Sequence, residues 1–81
     1  MILHVQEAKY LHDYVIWVKF NDGTEGEIDL KDELYGEIFE PLKDIQKFKS
    51  FKVEPEIGTI VWENGADLAP EFLYQKLKVL T

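Results

Sequence analysis

Apolar and polar residues alternate most regularly in the stretch from 14 to 30. Tyr14-Val15-Ile16-Trp17-Val18-Lys19-Phe20 is rich in β-branched and aromatic residues and predicts a strand. Asn21-Asp22-Gly23 then reads as a three-residue hairpin loop, a type I turn followed by Gly23 in the left-handed region. The pattern selects the register. With Phe20 opposite Thr24, Val18 faces Gly26, Ile16 faces Ile28 and Tyr14 faces Leu30. The apolar partners then share one face, and Glu25, Glu27 and Asp29 share the other. A two-residue loop would set Ile16 against Asp29 and break that segregation.

The flanking segments read less sharply. Residues 2–10 predict a first strand with one irregularity, its inward face supplied by Leu3, Val5 and either Ala8 or Tyr10. In the ambiguous stretch 35–47, Pro41 suits the first position of a short helix that turns Leu42 and Ile45 to the core. Phe51-Lys52-Val53 reads as a short strand, residues 54–58 as a connection and residues 59–63 as another strand. In that last strand Ile60 and Trp62 point one way, Thr59 and Val61 the other. Asn64-Gly65 is a turn signal. Pro70 opens a final helix, Glu71 complements its dipole, and Leu73, Leu77 and Leu80 form its core stripe. The expected architecture is α+β, in one domain over residues 1–81. An antiparallel sheet of about four or five strands carries a short middle helix and a C-terminal helix packed on it.

Composition narrows the function. With 81 residues, 46% of them hydrophobic, the chain has material for one compact core. It has no cysteine, which removes disulfides, thiol catalysis and thiolate metal sites, and makes the reducing cytoplasm the expected compartment. Its first residues have no basic region followed by an apolar stretch, so no signal peptide is expected, and no apolar run approaches the roughly 20 residues of a membrane span. The net charge is −7, and all nine basic residues are lysines. Without arginine, the preferred residue for bidentate phosphate and base contacts, an acidic chain is a poor candidate for direct nucleic-acid binding. Its charge favours a basic partner.

No constellation of catalytic residues stands out, and the chain is expected not to be an enzyme. His4 and His12 lack the converging ligands of a metal site. Ser50, the single serine, lies in no nucleophile motif, and no glycine pattern cradles a phosphate. No cofactor and no metal are expected. Lys43, Lys47, Lys49 and Lys52 interleave with Phe48 and Phe51, a pattern read as core aromatics with solvated neighbours. The acids are the uneven feature. Asp22, Glu25, Glu27, Asp29, Asp32, Glu33, Glu37 and Glu40 are half of the sixteen, and Lys31 alone interrupts them. On an exposed strand such acids either form a solvated face that discourages edge pairing or dock a basic protein. They do not follow the spacing of a calcium loop.

One segment is more specific. Gly58-Thr59-Ile60-Val61-Trp62-Glu63-Asn64-Gly65-Ala66-Asp67-Leu68-Ala69-Pro70-Glu71-Phe72-Leu73-Tyr74 resembles the signature of the bacterial family called domain of unknown function 2442. The resemblance extends through Phe20, Asp22-Gly23, Gly26, Asp29-Leu30, Gly36, Phe39, Leu42 and Phe48. Glu63 stands where the family often has proline. The resemblance implies a small α+β protein without catalytic residues. Some members are fused to a helix-turn-helix domain, and stand-alone members are similar to proteins proposed as antitoxins. Ending at Thr81, directly after the last helix, this chain is expected to carry no DNA-binding extension.

The motif also has a structural reading: Trp62 fills core, Asn64-Gly65 makes a turn, Asp67 forms an Asx turn ahead of the helix, and Pro70 starts that helix. The leading expectation is a non-catalytic protein that neutralises a small basic toxin by docking, through Glu25, Glu27, Asp29, Asp32 and Glu33. The alternative is a small-molecule-binding or sensory module with Trp62, Asn64 and Asp67 at its loop. A first strand at the sheet edge also leaves a homodimer open.

Overall fold

The computed structural model describes residues 2–79, with side chains described through residue 77. The alternating stretch folds as a hairpin. β1 (Val5–His12), β2 (Val15–Phe20) and β3 (Glu25–Asp29) form an antiparallel sheet in that order. Ile16 lies opposite Ile28 and Val18 opposite Gly26. The Phe20 N–H donates to the Thr24 carbonyl at 2.8 Å, and the Leu30 N–H to the Tyr14 carbonyl at 2.9 Å. This is the register that the three-residue loop requires. Gly23 takes the left-handed conformation at φ 91°, and the Asp22 carboxylate accepts the Thr24 N–H at 2.9 Å.

β1 starts later than the pattern predicts because Asn21 holds the residues before it. The Asn21 side chain accepts the His4 N–H at 2.9 Å and donates to the Ile2 carbonyl at 2.7 Å. β1 has two irregularities, one between Val5 and Glu7 and one between Tyr10 and His12. The first changes the parity of the strand. Val5, Ala8 and Tyr10 thereby share the core face, opposite Phe20, Val18 and Ile16.

Five strands form, divided between two antiparallel sheets. β4 (Lys52–Glu54) and β5 (Thr59–Val61) make the second. It is tied to the first by the Val5 N–H, which donates to the Gly58 carbonyl at 2.8 Å. Ile60 and Trp62 are buried as expected, but Thr59 is buried too. Its hydroxyl is satisfied by donating to the Leu68 carbonyl. The predicted middle helix is two short turns: a 3-10 turn over Glu40–Lys43, with Pro41 at its start, and α1 (Ile45–Phe48). They break at Asp44, whose extended backbone makes it the N-cap of α1; its carboxylate accepts the Gln46 N–H at 2.9 Å. Leu42 is buried as expected. Ile45 is half-buried, and Phe48 takes the core position instead.

α2 (Pro70–Val79) buries Leu73 and Leu77; the expected contribution of Leu80 lies outside the described residues. The helix reaches β3 at Gly26, where an added Cβ would stand 2.8 Å from Leu77 Cδ2. A strand glycine here lets another element approach closely. Trp62 is packed with Phe39, Phe48 and Phe51, their ring centroids 6.0–6.3 Å from its own.

Candidate functional site

Parity decides what the three-stranded sheet presents. Ile16, Val18, Phe20 and Ile28 face the core and are fully buried. The intervening residues line the opposite face: Glu7 and Lys9 on β1, Val15, Trp17 and Lys19 on β2, and Glu25, Glu27 and Asp29 on β3. The four acids and Lys9 are exposed, while Val15, Trp17 and Lys19 are half-buried. Trp17 lies between Lys9 and Glu27, and Lys19 between Glu7 and Glu25. Lys9 Nζ sits 5.5 Å from the Trp17 ring centroid, a cation–π arrangement. An apolar strip of Val15 and Trp17 thus runs beside a row of carboxylates on β3.

The five acids expected to form one surface divide. Glu25, Glu27 and Asp29 share the outer face, and Asp29 also accepts the Lys31 N–H at 2.9 Å. Asp32 is exposed in the 3-10 turn over Lys31–Glu33 that follows. Glu33 turns toward α2, with Oε2 3.7 Å from Lys76 Nζ. At the hairpin tip, Asp22 is tied to the helix. The Thr24 backbone N–H and the Tyr74 hydroxyl, at 2.8 Å, hold its carboxyl below the usual carboxylate range.

The loop residues Trp62, Asn64 and Asp67 have separate tasks. The buried Trp62 donates its indole N–H to the Phe48 carbonyl at 2.7 Å. Asn64 accepts the Ala66 N–H at 3.1 Å and donates to the Ile38 carbonyl at 2.8 Å. The turn they occupy repeats the first hairpin loop. The Trp62 N–H donates to the Ala66 carbonyl, the Gly65 N–H to the Trp62 carbonyl, and Gly65 has φ 89°. Asn64 caps its own turn, whereas Asp67, expected to form an Asx turn ahead of the helix, instead pairs through its backbone with Val61 and exposes its side chain. Two shallow concavities of about 430 and 450 Å³ border Trp62 and Glu63. Lys52 and Asp67 line one, and Lys47 and Asn64 the other.

The remaining candidates are dispersed. His4 lies over Gly58, and His12 Nδ1 is 3.1 Å from the exposed Asp13 carboxylate. Lys43 pairs with Glu40 at 3.2 Å. Among the described residues, no group of three or more His, Asp or Glu side chains could hold a metal ion. No helix among them is long and apolar enough to cross a membrane. Trp17 is the residue that motif reading passed over. Its signal was the same alternation that placed the acids, read on β2 instead of β3.

A family model described as "Protein of unknown function (DUF2442)" matches residues 5–78. No curated protein and no solved structure matches the chain.

Proposed function

We propose a function for this chain from one premise: it belongs to the DUF2442 family. It is a non-catalytic binding protein that takes a small basic protein on the outer face of its three-stranded sheet. In its specific form it is the antitoxin of a toxin–antitoxin pair acting in the cytoplasm. The observation that carries the reading is the composition of that face: Glu7, Glu25, Glu27 and Asp29 outnumber Lys9 and Lys19 around the half-buried Trp17, on the side of the sheet away from the core.

The physical roles differ between these groups. The carboxylates steer a cationic partner and suppress acidic ones, an effect on association rate and specificity. Trp17, flanked by Val15, offers the aromatic surface on which interfaces concentrate their energy. Neutralisation is steric: a toxin whose positive substrate-binding surface lies against β3 cannot use it.

The small-molecule reading has less support. The Trp62 indole N–H and both ends of the Asn64 amide are already used within the protein. The test is parallel capture from the native lysate with the wild-type protein and with E25K/E27K/D29K, at low and moderate salt. A basic protein retained by the wild type, released as salt rises and absent from the variant supports docking at this face. Equal retention by both proteins moves the interface elsewhere.

A further inference from the structure

The backbone of β3 carries information that its side chains do not. The Phe20–Thr24 and Tyr14–Leu30 hydrogen bonds set the phase of the ladder. In an antiparallel pair, hydrogen-bonded positions alternate, so Gly26 and Ile28 direct their peptide groups toward β2. Glu25, Glu27 and Asp29 direct theirs the other way. β3 is the last strand of its sheet, and among the described residues no backbone partner is recorded for those N–H and carbonyl groups. The opposite edge is different. β1 is interrupted twice, and its start is tied to Gly58. The regular open edge of this sheet is β3.

We infer that β3 is a strand-addition site, and that its occupant is an extended basic segment of the partner with Lys or Arg at every second position. The inference rests on the docking reading above and specifies its geometry. An added strand would lie about 4.8 Å from β3 and exchange hydrogen bonds with Glu25, Glu27 and Asp29. Its residues opposite these three would project onto the same outer face, with Cβ atoms about 5.5 Å from theirs. Lysine or arginine at those positions meets a carboxylate each time.

The same pattern opposes antiparallel pairing of β3 with β3 of a second copy. Antiparallel pairing of β3 with itself about Glu27 sets Glu27 against Glu27 and Glu25 against Asp29. A shift by two residues again opposes acid to acid. Like charges directly opposite are destabilising. The edge therefore rejects itself while remaining open to a basic strand, an arrangement that natural sheets use to avoid self-association.

Two variants separate the edge from the charge. Glu27→Gln keeps the outward N–H and removes one carboxylate. Glu27→Pro removes both, and proline is tolerated on an edge strand where the N–H faces outward. The probe is a blocked peptide of alternating lysine and threonine, followed by amide hydrogen exchange and by titration. In the wild type, saturating peptide is expected to slow exchange at Glu25, Glu27 and Asp29 by about tenfold or more. Glu27→Gln is expected to weaken binding a few-fold and Glu27→Pro by at least about tenfold beyond that. Equal affinities for the two variants, or unchanged exchange at all three amides, overturn strand addition. If E25K/E27K/D29K still loses the captured basic partner in that event, docking by charge survives without the strand. If the partner is also retained, both readings fail. Should Glu27→Pro not fold, the exchange experiment on the wild type decides alone.

Discussion

Trp62 packs against three phenylalanine rings, and its indole N–H is the part that cannot be replaced by another phenyl ring. Trp62→Phe keeps a ring beside Phe39, Phe48 and Phe51 but leaves the buried Phe48 carbonyl without its donor. An orphaned buried acceptor costs about 1–3 kcal/mol, and urea denaturation is expected to register at least that loss. Asp22 acts by charge at the surface. Its folded-state pKa lies below the unfolded value near 3.8, chiefly through the Thr24 N–H and next through the Tyr74 hydroxyl. The stabilisation is therefore present above that value and is lost as pH falls through the folded pKa. Tyr74→Phe removes the second cause. The stability gap between wild type and this variant is expected at neutral pH and should narrow in urea melts carried below the carboxylate range. A gap that widens on acidification would contradict the assignment.

Among the elements, α2 and β3 meet through the absence of a side chain at Gly26. Gly26→Ala sets a methyl 2.8 Å from Cδ2 of the buried Leu77, so the end of that side chain must shift. Because only a side-chain end has to move, the cost is expected at the low end of overpacking, about 1 kcal/mol. In a Leu77→Ala background the same substitution is expected to be close to neutral, and a double-mutant cycle measures the coupling. Additive effects would mean that the helix is not held at this point. Gly26 also illustrates what was legible beforehand. Its partner Val18 followed from alternation, because register has a period of two and a one-residue slip exposes the whole apolar set. The long-range contact with Leu77 left no local trace. The same distinction separates the two loops. Asn64-Gly65 announced a turn, which Asn64 caps, but the backbone bridge from Val61 to Asp67, formed in place of the Asx turn expected ahead of the helix, had no local signal. Thr59 is the converse case, a polar residue buried against its parity because the Leu68 carbonyl accepts its hydroxyl. The split at Asp44 also escaped the pattern, since a single capping carboxylate ends one turn and begins the next.

For the whole molecule, the division of labour is between two faces of one sheet. One face joins α2, the second sheet and the Trp62 cluster into the core; the other gathers Trp17 with four carboxylates. The acids were legible as a run, and alternation placed Glu25, Glu27 and Asp29 on one face, as the register with β2 shows; the fate of Asp32 and Glu33 beyond the strand was not legible. Glu33 belongs with Lys76 on the helix, while Glu25, Glu27 and Asp29 lie with Glu7 on the outer face. A net charge of −7 gives that face a long-range field, which screening within about 8 Å at physiological ionic strength should weaken. The decisive measurement is the association rate of the captured basic partner as a function of ionic strength, for the wild type and for E25K/E27K/D29K. The wild-type rate is expected to fall steeply with salt, and the variant's to be at least about tenfold lower at low salt with a much flatter dependence. Equal rates with equal salt dependence in the two proteins would contradict the proposal that this face is where the partner binds.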